Sequence, residues 1–565
     1  MTSASAAIAT LGDDTSDESK SKRRLPLLPV AALLDAQHTL TAVERFSKLH
    51  EDPSAPLHAK YYKDLVPLSS PKAGEQYAFE VDLDRCTGCK ACVTACHNQN
   101  GLDDDEVWRT VGLLHGGHAG SPAQQTVTTS CHHCVEPACL LGCPTQAYEK
   151  DPITGIVKHL DDQCFGCQYC TLMCPYDAPK YNKSRGIVRK CDMCSDRLAH
   201  GEAPACVEAC PNGAIAIRVV DKTAIVETSE ARHFLPGAPT PEHTLPSTRY
   251  ATQKAMPANM LPADFYTTSP EHSHPPLVVM LTLTQLSVGA FVCGLLLEHS
   301  APGGVGRPLA EAVFACALAF LALGASVFHL GRPLLAWRAV LGLRTSWLSR
   351  EALVFGLFAQ LGVAYAASAA TPLLPSFPGS RTLGGLSSAL HLGASIVGLA
   401  GVFCSVMVYV ATRREQWSPL HTGLKFFGTT ALLGAASILA VSAFMLPAAA
   451  LPQMRLPLEI VLASAAIKLA FEGRELLHAR DLRQSALKRV AIVMLGDLRR
   501  ATIVRFALLM VGGLLLPLTA LAAHTASARR PVALAMLAFL VAGELAERYL
   551  FFRAAPASRM PGGLR

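Results

Sequence analysis

A chain of 565 residues is too long for one ordinary domain. Half of it is hydrophobic, and the long uncharged runs come after about residue 275, so the chain meets two solvents, water and lipid. The net charge of +6 is modest, and much of the Lys and Arg lies in loops between apolar runs, which argues against nucleic acid as a partner.

The N-terminal extension, residues 1–75, begins with a Ser-, Ala-, Asp- and Lys-rich stretch that is expected to be disordered over residues 1–24. Arg23-Arg24 before Leu25–Leu34 invites a twin-arginine signal reading. The apolar stretch is short, contains Pro26 and Pro29, and ends at Asp35. An amphipathic helix around Thr41–His50, docked on a partner or on the domain behind it, is the better expectation.

Residues 76–218 form a cysteine domain. Of 19 cysteines, 16 lie between Cys86 and Cys210, while Cys293, Cys316 and Cys404 sit in apolar runs as small hydrophobes. The first group is Cys86, Cys89, Cys92 and Cys96. The second is Cys131, Cys134, Cys139 and Cys143, and the third is Cys164, Cys167, Cys170 and Cys174. The fourth is Cys191, Cys194, Cys206 and Cys210. Groups one and three have the Cys-x2-Cys-x2-Cys-x3-Cys spacing of bacterial ferredoxins. A short turn can wrap three thiolates around one face of a cubane, while the fourth cysteine points from the following helix to the other cluster of a pair. The competing readings are disulfides and zinc. Cysteines two residues apart suit a shared metal better than each other, and zinc sites usually show two separated Cys-x2-Cys pairs. The spacing therefore predicts four 4Fe-4S clusters in two ferredoxin-like pseudo-repeats of α+β class.

Residues 219–274 read as a proline-rich linker without sustained periodicity, ending in Ser-Pro-Glu-His-Ser-His before two more prolines. The anchor, residues 275–553, is expected to be an all-α transmembrane bundle of about eight helices, and a short tail, 554–565, follows. Pro275–Leu297 is uncharged and long enough to span a ~30 Å core. Further spans are expected at about 309–329, 351–372, 386–411, 424–446, 456–473, 504–524 and 531–552. The sixth and eighth are the weaker ones, because they contain Glu459, Lys468 and Glu544. Loops after the even-numbered spans carry fifteen Lys and Arg, against five after the odd-numbered ones. By the positive-inside rule the even loops are cytoplasmic, and the cysteine domain lies on that side of the inner membrane.

Residues 78–218 resemble the four-cluster electron-transfer subunits of complex iron–sulfur molybdoenzymes, especially those of dimethyl sulfoxide reductase. The resemblance is carried by Cys-His-His-Cys-Val-Glu-Pro-Ala-Cys and Cys-Phe-Gly-Cys-Gln-Tyr-Cys-Thr-Leu-Met-Cys-Pro-Tyr. It implies four ligand sets: Cys86, Cys89, Cys92 with Cys210; Cys191, Cys194, Cys206 with Cys96; Cys131, Cys134, Cys139 with Cys174; and Cys164, Cys167, Cys170 with Cys143. The membrane half resembles the anchor subunit of the same family, through Phe-His-Leu-Gly-Arg-Pro at 328–333, Ser-Arg-Glu at 349–351 and Gly-Glu-Leu-Ala-Glu-Arg-Tyr-Leu-Phe at 543–551. The two halves, normally separate chains, are fused here. The resemblance implies menaquinol or another quinol as electron donor, membrane lipid and quinone as surroundings, and a separate molybdopterin catalytic subunit that carries the substrate-reducing site.

Topology adds candidates for the quinol site. His329 ends span two and Glu351 starts span three, both at the membrane face nearest the clusters. Quinol oxidation releases protons that His and carboxylates can accept. The plainer readings are an interfacial helix-end histidine and a helix-capping charge. Glu544, Glu547 and Arg548 suit a buried ion pair as well as a proton path, and Lys468 reads as a snorkelling lysine. No haem is expected, because His329 and His391 fall at opposite faces, although His391 and His524 share one. Electrons are expected to flow from quinol to an S-oxide, N-oxide or nitrate-type acceptor. The alternatives are reverse flow from a donor such as formate, or an ion-translocating or structural anchor, for which Glu459 and Lys468 are the support.

Overall fold

A computed structural model describes residues 63–561, apart from 119, 232–233, 266, 268, 299–305, 374–379, 446–454, 484, 523–525 and 557–558. The twin-arginine segment, the helix expected around Thr41–His50 and His524 lie outside the described residues.

The cysteine domain is built on short strands. β1 (Glu75–Asp82) buries Ala78, Phe79 and Val81. Its antiparallel partner is β8 (Ile215–Asp221), in a register running from Glu75 opposite Asp221 to Val81 opposite Ile215. The two ends of the domain are thereby joined. On its other edge β1 takes β9 (Arg249–Ala251) in parallel. A second sheet pairs β2 (Thr110–His118) with β3 (Ser121–Thr129), and β10 (Leu261–Pro262) adds to β2. Two small hairpins, β4 (Tyr148–Lys150) with β5 (Val157–His159) and β6 (Lys180–Asn182) with β7 (Ile187–Arg189), complete the strands. The segment 219–274 supplies β9, β10 and the helix Lys222–Glu230, so it packs into the domain as well as leading to the membrane.

The pseudo-repeat is visible in the backbone. Lys90 follows Cys89 and Gln168 follows Cys167. Each adopts the left-handed conformation, at φ of 63° and 60°, and each opens a helix, Ala91–Asn100 and Tyr169–Met173. A reversal of this kind between the second and third cysteines of a group turns the thiols inward.

Among the described residues eight long helices follow: α1 (Pro275–Glu298), α2 (Gly306–Val327), α3 (Trp347–Ala369), α4 (Ser387–Val410), α5 (Pro419–Met445), α6 (Arg455–Leu477), α7 (499–522) and α8 (Ala526–Arg553). α7 starts as Arg499–Met510, passes through a π-helical turn at Val511–Leu515 and continues as Leu516–Ala522. Among the described residues, six of these, α1 to α5 and α7, are long and apolar enough to cross a membrane. α6 and α8, the expected sixth and eighth spans, are equally long but carry more charge. α1 and α5 cross at a glycine pair. A Cβ on Gly289 would lie 2.0 Å from the Thr430 carbonyl oxygen and 2.8 Å from the Gly434 Cα, so only glycine permits this approach. One apolar core runs from the cysteine domain into the bundle: Ala138, Tyr169 and Met173 pack with Leu281, Phe291, Phe355, Phe358 and Tyr409.

Candidate functional site

All sixteen cysteines of the soluble domain are free thiols. Cys89 is exposed, Cys86, Cys167, Cys194 and Cys210 are half-buried, and the other eleven are buried. Chain-distant partners come together. Cys210 acts electrostatically on Cys86 and Cys92; Cys96 faces Cys194 and Cys206; Cys174 faces Cys134 and Cys139; Cys143 faces Cys164, Cys167 and Cys170. Cysteines of the first and fourth groups thus lie near one another, as do those of the second and third. Among the described residues, no three His, Cys, Asp or Glu side chains close on the position of a single metal ion.

The sets follow one another. Cys92 neighbours Cys206, Cys191 neighbours Cys131, and Tyr148 lies against Cys139, Cys143 and Cys170. Two buried cations sit between them. Arg109 faces Cys206, Cys92, Cys191 and Cys96, while Lys190 faces Cys131, Cys139 and Cys191. Backbone N–H groups of Ala147 and Ala214 each donate to a sulfur, Cys143 and Cys210, at 3.2 Å. Burial pushes the Cys96 thiol up to about 12 and Cys174 up to about 11. Such thiols stay protonated unless a bound cation compensates their charge.

One end of this row is open to solvent at Cys89, and the other rests on the anchor. The Arg332 N–H donates to the Phe165 carbonyl at 3.0 Å and its guanidinium to the Asp161 carbonyl at 2.8 Å. Arg338 donates to the Asp162 carbonyl at 2.7 Å, Ser346 to the Gly142 carbonyl at 2.7 Å, and Tyr169 to the Val408 carbonyl at 2.8 Å. The contact is backbone against backbone at Gly331, where a Cβ would lie 2.0 Å from the Gly186 carbonyl oxygen. The Arg-bearing loops after α2 and α4 thus face the cysteine domain, with Arg414 reaching the Thr171 carbonyl at 3.3 Å.

His329 lies two residues past α2, within hydrogen-bonding reach of the Cys167 backbone. Burial lowers its imidazole to about 4. Glu351 does not start its helix, as the sequence suggested: Ser346 takes the cap position, so Glu351 points inward from the second turn and bonds Ser405 of α4. Tyr169 lies near Glu351: burial raises its hydroxyl most, and the nearby Glu351 and Cys167 both raise it further. His329 therefore meets the segment Cys167–Tyr169 at Cys167, and Glu351 meets it at Tyr169. Sequence reading missed Tyr169, Ser405 and Tyr409 here. It also missed His274, whose ring meets His329 at 5.0 Å.

Lys468 does not snorkel. It is buried and pairs with Glu544 at 3.1 Å and Glu472 at 3.7 Å, because α6 turns its charged face to α5, α7 and α8 rather than to lipid. Arg505 joins Glu472 and Glu544 at 2.7 and 2.9 Å. Arg548 bonds Glu547 and Gln285, and Lys425 bonds Glu475. Glu459 is half-exposed and paired with Arg455. His391 is buried, stacked on Tyr365 at 4.2 Å and bonded to the Phe291 carbonyl at 2.9 Å.

The family model of the DMSO reductase anchor subunit matches residues 271–553. The chain belongs to that family. The soluble half matches the 4Fe-4S dicluster domain over residues 123–220 and a 4Fe-4S binding domain over residues 77–98. The B subunit of the anaerobic dimethyl sulfoxide reductase of Escherichia coli is 40% identical over 155 residues, 26% of this chain and 75% of that protein. Its counterpart in Haemophilus influenzae is 38% identical over 157 residues, 26% and 76% respectively. The formate dehydrogenase-O iron–sulfur subunit of Escherichia coli is 35% identical over 158 residues, 25% and 52%. This member of the anchor family thus carries its iron–sulfur domain on the same polypeptide. The donor set fits the cofactor of 4Fe-4S domains: free thiols in sets of four, amide donors to sulfur, and buried Arg109 and Lys190 to balance anionic clusters.

Proposed function

We propose that this chain passes electrons from menaquinol, or another quinol, to a separate molybdopterin catalytic subunit that reduces an S-oxide, N-oxide or nitrate-type acceptor. The observation that carries the reading is the position of His329 beside Cys167 and of Glu351 beside Tyr169, where the cysteine domain meets the anchor. Quinol bound there loses two electrons and two protons beside the innermost cysteine set. Four 4Fe-4S clusters, held by the four sets named above, supply one-electron carriers along the row. The exposed end at Cys89 is where the catalytic subunit docks. α6 and α8 complete eight spans, their charges neutralised within the bundle. The excess of Lys and Arg around the even-numbered connections, fifteen against five in the sequence although Lys425 and Arg505 lie within helices, supports a cluster domain on the cytoplasmic side of the inner membrane.

The test uses the full chain in lipid nanodiscs under anaerobic conditions. Iron analysis with EPR should give about sixteen irons per chain, and a short-chain menaquinol should reduce the clusters. His329→Ala should block that reduction while dithionite still reduces every cluster. Reduction of the variant by menaquinol at the parent rate would remove His329 from the site. Reporters fused after Arg565 and within 373–382 should report opposite sides of the membrane. The similarity to a formate dehydrogenase iron–sulfur subunit supports a second reading, electron flow from such a donor to quinone. A catalytic partner that oxidises its substrate with a quinone acceptor would decide for it.

A further inference from the structure

The segment that precedes α1, Ser-Pro-Glu-His-Ser-His, is more than a linker end. His272 and His274 meet ring edge to ring face at 4.7 Å, and His274 meets His329 in the same way at 5.0 Å. Through His274 the three rings make successive contacts from His329, at the Cys167 backbone, to His272, which is exposed.

The line is held from several sides. The Glu271 N–H donates to the Arg553 carbonyl at 3.0 Å, which ties the segment to the end of α8. The His274 carbonyl accepts from the N–H groups of Leu277 and Val278, at 2.9 and 3.1 Å, and so opens α1. Phe552 closes over the His274 ring at 5.5 Å. His274 itself sits at φ of 45°, a conformation that a non-glycine residue adopts only when its surroundings hold it there. Its Nδ1 is buried without a hydrogen-bond partner among the described residues. A buried, unpartnered ring nitrogen next to a solvent-reaching histidine is suited to pass a proton, because imidazole can take one at one nitrogen and give one from the other.

We propose that His274 and His272 are the proton exit of the quinol site, carrying protons from a quinol held at His329 to water on the cluster side. The proposal rests on the quinol reading above. Quinol oxidation must dispose of two electrons and two protons. The electrons leave one at a time toward the cysteine sets, and a proton leaves by the quinol hydroxyl, His274 and His272 in turn. Burial and the flanking histidines lower the His274 imidazole to about 3. The ring therefore rests neutral and hands a proton on rather than keeping it. His329 needs only to hold the quinol.

The test again uses the full chain in nanodiscs, in weakly buffered solution, with a short-chain menaquinol and stopped-flow detection of cluster reduction. His272→Ala should slow reduction about tenfold or more. Added imidazole should restore most of that rate, because a small base can replace a missing surface relay. His274→Gln should slow reduction at least as much and be restored less, being buried. Affinity for a fluorescent quinol analogue should be unchanged in His272→Ala, and dithionite should reduce both variants at the parent rate. Parent rates in both variants would overturn the relay. So would slowing that imidazole does not relieve and that tracks lost affinity for the analogue, which would make these histidines packing for the site. If the parent chain is reduced by dithionite but not by menaquinol, the quinol reading falls and the relay falls with it.

Discussion

Lys468 of α6 and Glu544 of α8 meet at 3.1 Å inside the membrane bundle, with both side chains withdrawn from solvent and lipid. Arg505 and Glu472 complete a group of two cations and two anions. Removing one member leaves an uncompensated buried charge, which costs about 3–5 kcal/mol. Lys468→Met should therefore lower the thermal stability of the purified protein sharply. Lys468→Met combined with Glu544→Gln restores neutrality and should recover part of the loss, a coupling that a double-mutant cycle measures. Equal stability of Lys468→Met and the parent would show that the pair contributes nothing.

The junction between the two halves makes a separable prediction. A Cβ at Gly331 would sit 2.0 Å from the Gly186 carbonyl oxygen, backbone against backbone with no flexible side chain to yield. Gly331→Ala should push the loop after α2 away from the cysteine domain and carry His329 with it. Menaquinol reduction of the clusters should then fall by an order of magnitude or more, since misplacement by about 1 Å can cost 10²-fold. Iron content and dithionite reduction should stay at parent levels. A parent-like menaquinol rate would mean that the junction relaxes without moving the site.

The cysteine groups were legible because their information is local: spacing within each group sets the turn and the helix that follows, and both repeats show it at Lys90 and Gln168. The apolar runs were legible for the same reason. What the sequence hid was everything that depends on which face of a helix meets which neighbour. Lys468 reads as a snorkelling residue until α8 is seen to bring Glu544 to it. Glu351 reads as a capping charge until the helix is seen to begin a turn earlier, at Trp347. His274 sits 55 residues before His329 in the chain, in a segment whose prolines advertise only a linker. Its partner ring becomes visible only when α1 and α2 are packed together.

Arg109 makes a prediction about potential. It is fully buried, it bonds Thr128 and Ser130 at 3.3 and 2.9 Å, and its charge faces Cys206, Cys92, Cys191 and Cys96. A positive charge near a cluster favours the reduced, more negative form. Arg109→Leu should lower the midpoint potential of the clusters held by these cysteines, by on the order of 100 mV. A redox titration followed by EPR would read the shift, and clusters in the membrane-facing half should move far less. Unchanged potentials throughout would place the Arg109 charge too far from the clusters to act on them.

Glu351 tests whether the membrane face holds a second proton acceptor. Its carboxylate is buried between α3 and α4, is bonded to Ser405, and acts on the Tyr169 hydroxyl from across the domain junction. A carboxylate buried in a bundle with so few charged neighbours is costly unless it has work to do. Glu351→Gln keeps the size and a hydrogen bond to Ser405 but cannot take a proton. If Glu351 accepts one of the two quinol protons, this change should slow cluster reduction by menaquinol about 10²-fold, while affinity for a quinol analogue and reduction by dithionite hold. Ser405→Ala should slow it much less, because it removes only the group that orients the carboxylate. A Glu351→Gln variant that keeps its rate but loses analogue affinity would make the carboxylate a hydrogen-bond partner for the bound quinol. One that changes neither would leave it a polar packing residue, and His274 with His272 would then carry both protons.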